Sequence, residues 1–296
     1  MMEINIWVQQ IIQVLISGIV TASVYAIMGI GLSIIYGISR VFNFAYGSFF
    51  TWGAYLAWFL FSTFSWMNYP IVFLIVLPVM FALGMLTERI VVRSLRWRAN
   101  WQVTTMMVTL GLAFFLDNLA LIIFGGFAKP LPPIYRGGIN PFGFTLSVQD
   151  LLMLIVGASV MIIFGLFLAK SYIGMSMQAI SQDMTGAEIV GIPIKKVFSY
   201  TFGLSTALVG MSGILLAPRY YISPHGGWEP FFRVFVIVAF GGLGSIRGTL
   251  YSALILAILE AFISWSLGAT WVLPFWFLVF LGVLAFRPSG LMGKWG

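Results

Sequence analysis

Residues 171–196, SYIGMSMQAISQDMTGAEIVGIPIKK, form the only long polar interruption in the second half of the chain. Apolar runs of membrane-spanning length flank this segment on both sides. Its pattern predicts a pair of short helices, with the small residues Gly186, Ala187 and Gly191 on a surface ringed by charge. A membrane protein rarely keeps an ordered helical loop unless a soluble protein docks there. The segment therefore predicts a helical membrane fold with a docking element.

The composition of the whole chain excludes a soluble domain. Hydrophobic residues make up 61% of the 296 positions, charged residues 8%, and the mean hydropathy is +1.04. Soluble domains carry about 25% charged residues, so lipid is the expected solvent. The net charge of +7 does not require nucleic acid as a partner, because the basic residues stand at the ends of hydrophobic segments, as the positive-inside rule describes. The chain has no cysteine, which excludes disulfides and thiolate metal sites.

Hydropathy predicts an all-α, polytopic membrane protein with about eight or nine transmembrane helices, since apolar segments of roughly 17–25 residues recur along the chain. The predicted segments lie near 8–37, 44–64, 69–90, 101–124, 148–169, 197–217, 231–243, 248–266 and 271–286. Segment 231–243 is short and ends in FGGLGS, so it could be a half-helix or re-entrant segment, which would reduce the count to eight. No linker or appendage is expected, and residues 1–296 are predicted to form one domain.

Basic residues predict the orientation in the membrane. The cytoplasmic markers are Arg89, Arg93, Arg96 and Arg98, then Lys170, Lys195 and Lys196, and finally Arg287 and Lys294. An N-terminus outside, with a crossing at every segment, places all three groups in the cytoplasm. The loops 125–147 and 218–230 then lie outside, where they either form a docking rim or only connect helices. A cleaved signal peptide is not expected, because Glu3 precedes the first apolar run and no basic region does.

Two glycine-interrupted runs are candidates for a solute pathway. The first is GLSIIYGISRVFNFAYGSFFTWG at 31–53, and the second is FGGLGSIRGTLYSA at 240–253. Asn43, with aromatic neighbours, carries an amide that would be costly to leave unpaired in hydrocarbon. Glycine-interrupted segments in corresponding halves suggest internal repeats with discontinuous helices around a pathway. The alternative, that the glycines serve helix packing and Asn43 forms an interhelical hydrogen bond, stays open.

Ionisable and catalytic groups are scarce within the apolar segments. Asp117 and Glu260 lie inside them and should face protein or water; Asp117 is expected to reach the outer interface, and Glu260 lies deeper. A proton relay would need more such groups. No G-x-x-x-x-G-K-[ST] sequence occurs, so ATP binding in a Walker A loop is not expected. His225 is the single histidine; we expect it at the surface, and it leaves no two-histidine zinc motif or catalytic triad.

Three motifs together resemble the LivH-type permease subunits of ABC importers for branched-chain amino acids and related solutes such as urea. The first motif is GL-x-x-x-YG…NFA-x-G-x-x-x-x-x-G, matched by Gly31, Leu32, Tyr36, Gly37, Asn43, Phe44, Ala45, Gly47 and Gly53. The second is similar to the family's coupling segment, read here at Gly186, Ala187, Gly191 and Ile192, and the third is GGLGS-x-x-G at Gly241, Gly242, Leu243, Gly244, Ser245 and Gly248. The resemblance covers nearly the whole chain.

The resemblance implies the function and its residues. The chain would be a permease, not an enzyme, in a bacterial or archaeal plasma (inner) membrane, with the C-terminus in the cytoplasm. Its implied partners are two ATP-binding cassette subunits, a second homologous permease and a periplasmic or extracellular substrate-binding protein. The chain itself would bind no cofactor, since ATP-Mg would be bound by the partner subunits. The implied substrate pathway comprises Tyr36, Asn43, Phe44, Gly47, Gly241, Gly242, Gly244 and Ser245, and the implied ATPase-coupling residues are Thr185, Gly186, Ala187, Gly191, Ile192 and Pro193.

Departures from the family pattern bear on the substrate. Where the family often has His-Gly-Glu after NFA, this chain has Tyr46, Gly47 and Ser48, so a urea or short-amide permease remains an alternative to one for branched-chain or other hydrophobic amino acids. From a different class, an ion-coupled secondary carrier would use Asp117 or Glu260. A membrane enzyme or scaffold would need a polar catalytic cluster, which the sequence does not show.

Overall fold

A computed structural model describes residues 2–96, 98–133, 137–139 and 146–293, with side chains from residue 7 onward. Its α-helices are α1 (Met2–Ser39), α2 (Tyr46–Thr63), α3 (Tyr69–Thr87), α4 (Arg93–Leu95), α5 (Trp101–Phe124), α6 (Val148–Lys170), α7 (Tyr172–Gln182), α8 (Met184–Ile189), α9 (Ile194–Leu216), α10 (Trp228–Gly241), α11 (Ile246–Ser266) and α12 (Val272–Phe286). A π-helical turn, Glu88–Val92, joins α3 to α4, and a 3-10 turn, Ala269–Trp271, precedes α12. Lys294, one of the predicted cytoplasmic markers, lies outside the described residues.

Seven helical stretches in the described part are long and apolar enough to cross a membrane. They are Trp7–Ser39, Tyr69–Leu95, Trp101–Phe124, Val148–Lys170, Ile194–Leu216, Ile246–Ser266 and Ala269–Phe286. Each coincides with a predicted segment, which confirms the all-α polytopic fold. The two predicted segments outside this set, 44–64 and 231–243, correspond to α2 and α10.

α10 is a short helix, as one reading of segment 231–243 predicts. Its 14 residues span about 21 Å at 1.5 Å per residue, less than the hydrocarbon thickness of about 30 Å. α2 is also short at 18 residues. Both helices therefore depend on neighbouring helices to enclose the backbone groups at their ends.

α1 and α9 form the centre of the bundle, and small residues let the other helices approach them closely. A methyl group on Gly53 of α2 would lie 2.4 Å from the backbone of Gly210 of α9. Ser205 of α9 donates a hydrogen bond of 2.7 Å from its hydroxyl to the carbonyl oxygen of Gly31 in α1. Gly53 therefore serves helix packing, one of the two roles that the sequence left open for these glycines, since no side chain fits there.

The chain turns back into the bundle after α1. Arg40 adopts a left-handed backbone conformation with φ of 54°, and residues 40–45 return along α1. The Tyr46 hydroxyl, at the start of α2, donates a hydrogen bond of 2.7 Å to the carbonyl oxygen of Met28. Residue 28 lies roughly 16 Å before the end of α1 at residue 39. α2 therefore begins inside the bundle and not at the level where α1 ends.

α10 also begins inside the bundle, against the first turn of α2. A methyl group on Gly227 would lie 1.9 Å from the carbonyl oxygen of Gly47, so the two backbones touch. From this contact, the half-helix junction, α2 runs alongside α9 and α10 runs in the opposite sense, toward the end of α1, where Gly244 meets Gly37. The two half-helices thus diverge from a common point with their N-termini facing each other.

The two predicted outer loops are joined to each other. Lys129 and Ile222 exchange backbone hydrogen bonds of 2.9 Å in both directions. Within the first loop, β1 (Gly138–Ile139) pairs antiparallel with β2 (Leu146–Ser147), a small sheet that the sequence pattern does not predict. Residues 134–136 and 140–145 of this loop lie outside the described part. The two loops are thus held together at this bridge.

Candidate functional site

Asn43 orders the chain just before the half-helix junction. Its side chain is 1% exposed, and its Oδ1 accepts a hydrogen bond of 3.1 Å from the backbone N–H of Ala45. Its carbonyl oxygen accepts from the N–H of Tyr46 at 3.2 Å. The Nδ2 group is buried and has no hydrogen-bond partner among the described residues. The amide oxygen of Asn43 therefore orders the residues just before α2, and its amide nitrogen remains able to donate to a further acceptor.

Aromatic rings line the path from α1 to α10 around Asn43. Tyr36 packs on Phe42 with ring centroids 4.6 Å apart, and Phe42 packs on Phe235 of α10 at 4.8 Å. Phe44 meets Phe231 at 6.0 Å, and its backbone N–H bonds to Thr109 Oγ1 of α5 at 3.2 Å. The structure thus gathers four of the predicted pathway residues, Tyr36, Asn43, Phe44 and Gly47, along α10.

The other four predicted pathway residues form the tight turn between α10 and α11. Gly242 and Gly244 have φ of 104° and 82°, a conformation that L side chains rarely adopt. Ser245 caps α11 by accepting from the N–H of Gly248 at 3.1 Å, and Gly241 packs against the backbone of the same residue. Gly47 meets Gly227 at the start of α10, whereas these four residues lie at its end, where Gly244 approaches Gly37 beside Tyr36. The eight predicted residues are therefore spread along α10 and do not form one cluster.

Asp117 is buried beside the half-helix junction, and the expectation that it reaches the outer interface is wrong. Its side chain is 1% exposed and accepts hydrogen bonds of 2.7 Å from Ser48 Oγ and from Trp228 Nε1. His225 Nδ1 lies 3.4 Å away, although the His225 side chain itself is largely exposed, as expected. Asp117 thus ties α5 to the first turns of both half-helices. Ser48 faces it because α2 begins inside the bundle.

Glu260 faces protein, as expected, and its partner is Arg233 of α10. Glu260 Oε1 and Arg233 Nη1 are 2.7 Å apart, and the two side chains are 12% and 13% exposed. Nη1 of Arg233 also donates to the Tyr25 hydroxyl at 2.7 Å, and Nη2 bonds to Glu229. The sequence analysis missed Arg233, although a cation within the apolar segment 231–243 is itself a signal of a functional site.

A cavity of about 270 Å³ lies against this charged group, and we call it the outer cavity. Its walls come from α1, α2, α9, α10 and the loop after α9: Tyr25, Phe50, Thr51, Ala54, Gly213, Leu216, Ala217, Tyr220, Tyr221, Ile222, Ser223, Gly226, Glu229, Pro230 and Arg233. Tyr220, Tyr221 and Glu229 are exposed at its rim. Most of the wall is apolar, with a few charged and polar groups, a combination typical of a small-solute site.

The predicted helix pair in 171–196 is present as α7 and α8. Asp183 caps α8 by accepting from the N–H of Thr185 at 3.0 Å. Gly191 has φ of 86° and closes the end of α8: its N–H bonds to the carbonyl oxygen of Glu188, and the N–H of Ile192 bonds to that of Ala187, both at 3.0 Å. These two bonds form a Schellman motif, in which Gly191 is the left-handed residue that ends the helix.

The exposed surface of α8 differs from the predicted small-residue face. Ala187 is 5% exposed, so its methyl group packs against the rest of the bundle and does not belong to an outward face. The apolar side chains that point away are Ile189 and Val190, which are 80% and 75% exposed. Pro193 follows the cap and leads directly into α9.

α7 connects this segment to the base of α1. The Arg40 guanidinium donates a hydrogen bond of 3.2 Å to the carbonyl oxygen of Ser181. Gln178 Nε2 bonds to the carbonyl oxygen of Leu168 at 2.7 Å, and Met177 and Ile180 are buried beneath the bundle. Arg40 begins the return of the chain toward Asn43, so this hydrogen bond joins the end of α7 to residues 40–45.

A buried carboxylate organises the C-terminal end of α3. Glu88 is fully buried in the π-helical turn, and it pairs with Arg93 at 2.9 Å and with Arg96. It also accepts from Ser199 of α9, and the Arg96 guanidinium stacks 3.8 Å above the Phe198 ring. Burial lowers the pKa of the Arg96 guanidinium, while the charge of Glu88 opposes that shift. This cluster holds Arg93 and Arg96, two of the predicted cytoplasmic arginines, against the first turns of α9.

Among the described residues, no group of three or more His, Cys, Asp or Glu side chains is placed to hold a metal ion. What the structure presents is a polytopic helical bundle with two half-helices that meet in its interior, polar groups at their junction and a helical segment beneath them. Half-helices that meet in this way are characteristic of membrane transport proteins. The fold and the site thus define the class as a membrane transport protein.

The comparison with known families names the group. The chain belongs to the family described as branched-chain amino acid transport system / permease component, whose family model matches residues 14–286. As a member of this family it is a transport permease. The resemblance drawn from the three sequence motifs is therefore confirmed.

Individual relatives support the same assignment. The chain is 28% identical to the high-affinity branched-chain amino acid transport system permease protein BraD of Pseudomonas aeruginosa and 26% identical to LivH of Escherichia coli K12, with 96% of each chain covered in both cases. LivM of E. coli K12 is 26% identical over 79% of this chain and 60% of its own. Among solved structures, PsaBC from Streptococcus pneumoniae in complex with Fab has a TM-score of 0.51 at 17% identity, covering 98% of this chain and 97% of that one, a likeness of fold alone.

Proposed function

We propose that this chain is the membrane-spanning permease subunit of an ATP-driven importer for amino acids, with branched-chain amino acids as the first substrates to test. The observation that carries this proposal is the family match over residues 14–286. The relatives BraD and LivH carry branched-chain amino acid transport in their names and match along nearly their whole length. The fold adds an enclosed junction of two half-helices, where a solute would pass.

The proposed complex contains four kinds of subunit. LivH and LivM of the same organism are both named as permease proteins of a high-affinity branched-chain amino acid transport system, and both are relatives of this chain. This supports a second, homologous permease beside it. Two ATP-binding subunits would bind ATP-Mg in the cytoplasm, and a substrate-binding protein would dock on the joined outer loops. The complex would lie in a bacterial or archaeal plasma membrane.

The coupling element of the proposed complex is the pair α7 and α8. Thr185, Gly186, Gly191, Ile192 and Pro193 shape the end of this segment, and the exposed Ile189 and Val190 offer an apolar contact to an ATP-binding subunit. Exposed apolar residues at the tip of an ordered loop mark an interaction site. Motion of the ATP-binding subunits would pass through Ser181 and Arg40 to the chain before α2.

Reconstitution of the complex in proteoliposomes tests the function. Uptake of radiolabelled leucine or isoleucine should require ATP, the ATP-binding subunits and the binding protein, and urea should not compete. The isolated chain should hydrolyse no ATP. Uptake that persists without the ATP-binding subunits would instead indicate a secondary carrier, and ATP hydrolysis by the pure chain would contradict the assignment.

Gly191→Val tests the coupling element, with Gly268→Val as a matched control. Both glycines have positive φ, 86° and 95°, and a methyl group on either meets no atom within 4 Å. Both substitutions therefore cost a similar backbone strain of about 1–3 kcal/mol, but Gly268 precedes α12, far from α8. We expect Gly191→Val alone to abolish substrate-stimulated ATP hydrolysis while the complex still assembles. Equal stimulated hydrolysis in both variants would show that α8 is not the coupling element.

A further inference from the structure

The charged group at the outer cavity has an arrangement that stability alone does not explain. Arg233, Glu229 and Glu260 carry one more negative than positive charge when all are ionised, and they lie among apolar helices. Burying an ion pair rarely stabilises a fold more than a well-packed apolar side chain of the same size. Charges inside a membrane bundle are therefore a functional-site hypothesis by default.

The three charges differ in how firmly they are held. Arg233 is 13% exposed and bonded to Tyr25 and Glu260, which fix it from α1 and α11. Glu229 is 63% exposed and holds Arg233 through one oxygen, across one helical turn. An i,i+4 ion pair with one solvent-exposed member contributes little to stability. Glu229 is thus the member of the cluster that can turn away from Arg233 at little cost.

Arg233 also keeps donor capacity. Its Nε group is buried and has no acceptor within the part of the chain that the structure describes. A guanidinium offers Nε–H and Nη2–H side by side, a fork that matches a carboxylate. A carboxylate that replaced Glu229 there would gain a two-point contact, and the released Glu229 would be left as an acceptor for a cation.

The size and the lining of the outer cavity complete the match. At about 30 Å³ per water molecule, its 270 Å³ hold a solute of about nine heavy atoms, the size of leucine. Phe50, Leu216 and Ile222 line the same cavity with apolar side chains. A small zwitterion with an aliphatic side chain matches both the charged and the apolar parts of this lining.

We propose that the outer cavity binds an amino acid by inserting the zwitterion into the Glu229–Arg233 ion pair. The α-carboxylate pairs with Arg233, the α-ammonium pairs with Glu229, and the side chain lies on Phe50, Leu216 and Ile222. One ion pair becomes two, and no charge is left alone in the membrane. Glu260 and Tyr25 are positioning residues that hold Arg233. This inference rests on the proposed function and names the solute-binding site of the permease on its outer side.

Cysteine protection tests the site independently of transport. The chain contains no cysteine, so Ser223→Cys on the cavity wall gives this chain a single thiol, whose modification is followed on this chain in the reconstituted complex. We expect a small thiol reagent to modify it, and leucine to slow the modification at least threefold. 4-Methylpentanoate, which lacks the ammonium group, and 3-methylbutylamine, which lacks the carboxylate, should each need at least tenfold higher concentrations for half-protection.

Charge variants at the rim complete the test. In the Ser223→Cys background, Glu229→Gln should raise the leucine concentration for half-protection at least tenfold, and Glu229→Asp should recover much of the loss. Asp150→Asn is the matched control, because it removes a carboxylate that pairs with Arg219 outside the cavity wall; it should leave protection unchanged. The expected parallel result is a loss of leucine uptake in Glu229→Gln with unchanged subunit assembly.

Several outcomes would overturn the site. They are equal protection in Glu229→Gln and its parent, protection by either singly charged analogue as strong as that by leucine, and failure of the reagent to reach Ser223→Cys. If leucine uptake by the unmodified complex is intact in such a case, the proposed function stands and only the site is wrong. If the unmodified complex takes up no amino acid, the proposed function fails.

Discussion

The substitution of Asp117 tests whether the polar contacts at the half-helix junction hold the two half-helices together. Asp117→Ala removes the acceptor of Trp228 Nε1 and of Ser48 Oγ, each at 2.7 Å. Asp117→Asn has nearly the same shape and keeps one oxygen. The neighbouring Asn118 is exposed and bonds only within its own helix, to the carbonyl oxygen of Phe114, so Asn118→Ala is the matched control.

The expected loss of unfolding free energy follows from the hydrogen-bond partners that Ser48 and Trp228 keep after the substitution. In Asp117→Ala the Ser48 hydroxyl can still donate to the carbonyl oxygen of Ala113, 3.2 Å away, but Trp228 Nε1 loses its acceptor. An unpaired buried donor costs about 1–3 kcal/mol. In Asp117→Asn the amide oxygen accepts from Trp228, and the amide nitrogen donates to Ser48, which turns to Ala113. We therefore expect Asp117→Ala to lose about 1–3 kcal/mol of unfolding free energy and Asp117→Asn less than about 1 kcal/mol.

Unfolding in mixed detergent–SDS micelles, followed by tryptophan fluorescence, measures these differences. The expected order of stability is parent and Asn118→Ala first, then Asp117→Asn, then Asp117→Ala, with leucine uptake falling in the same order. A midpoint for Asp117→Ala equal to that of Asp117→Asn would refute the reasoning, because it would show that the hydrogen bonds to Trp228 and Ser48 do not hold the junction.

Three further predictions concern the pathway, the cytoplasmic cluster and the orientation. Asn43→Ser keeps a side-chain acceptor for the N–H of Ala45 but lacks the free amide nitrogen, so the variant should assemble normally and take up solute more slowly. Asn43→Leu should lose both uptake and stability. Normal uptake by Asn43→Ser would favour the packing role of Asn43. Glu88→Gln should lower the unfolding free energy by roughly 2–4 kcal/mol, because two arginines lose their buried counter-charge, whereas the exposed Glu188→Gln should not change it in the same SDS titration. In intact cells, an impermeant maleimide should label Tyr221→Cys and not Ser94→Cys; the reverse pattern would invert the proposed topology.

The amino-acid sequence by itself determined the class of fold and most of the helix positions. Apolar length and composition are sufficient for this, because hydrocarbon forces each spanning segment to satisfy its backbone groups as a helix. The cap at Gly191 was also readable, since a glycine ahead of Pro193 is a local signal. Likewise, the short apolar length of segment 231–243 was enough to raise the half-helix reading.

Only the tertiary structure decided where these elements meet. Asp117 stands late in its segment and looks interfacial, yet α2 begins inside the bundle and brings Ser48 to it. Ala187 looks like part of a docking face, yet the rotation of α8 turns it inward. Arg233 is recognised as part of a buried charged group only through its ion pair with Glu260, 27 positions further along the chain. Hydropathy along one segment carries no information about which face of a helix meets which partner, because that choice depends on packing between segments distant in sequence.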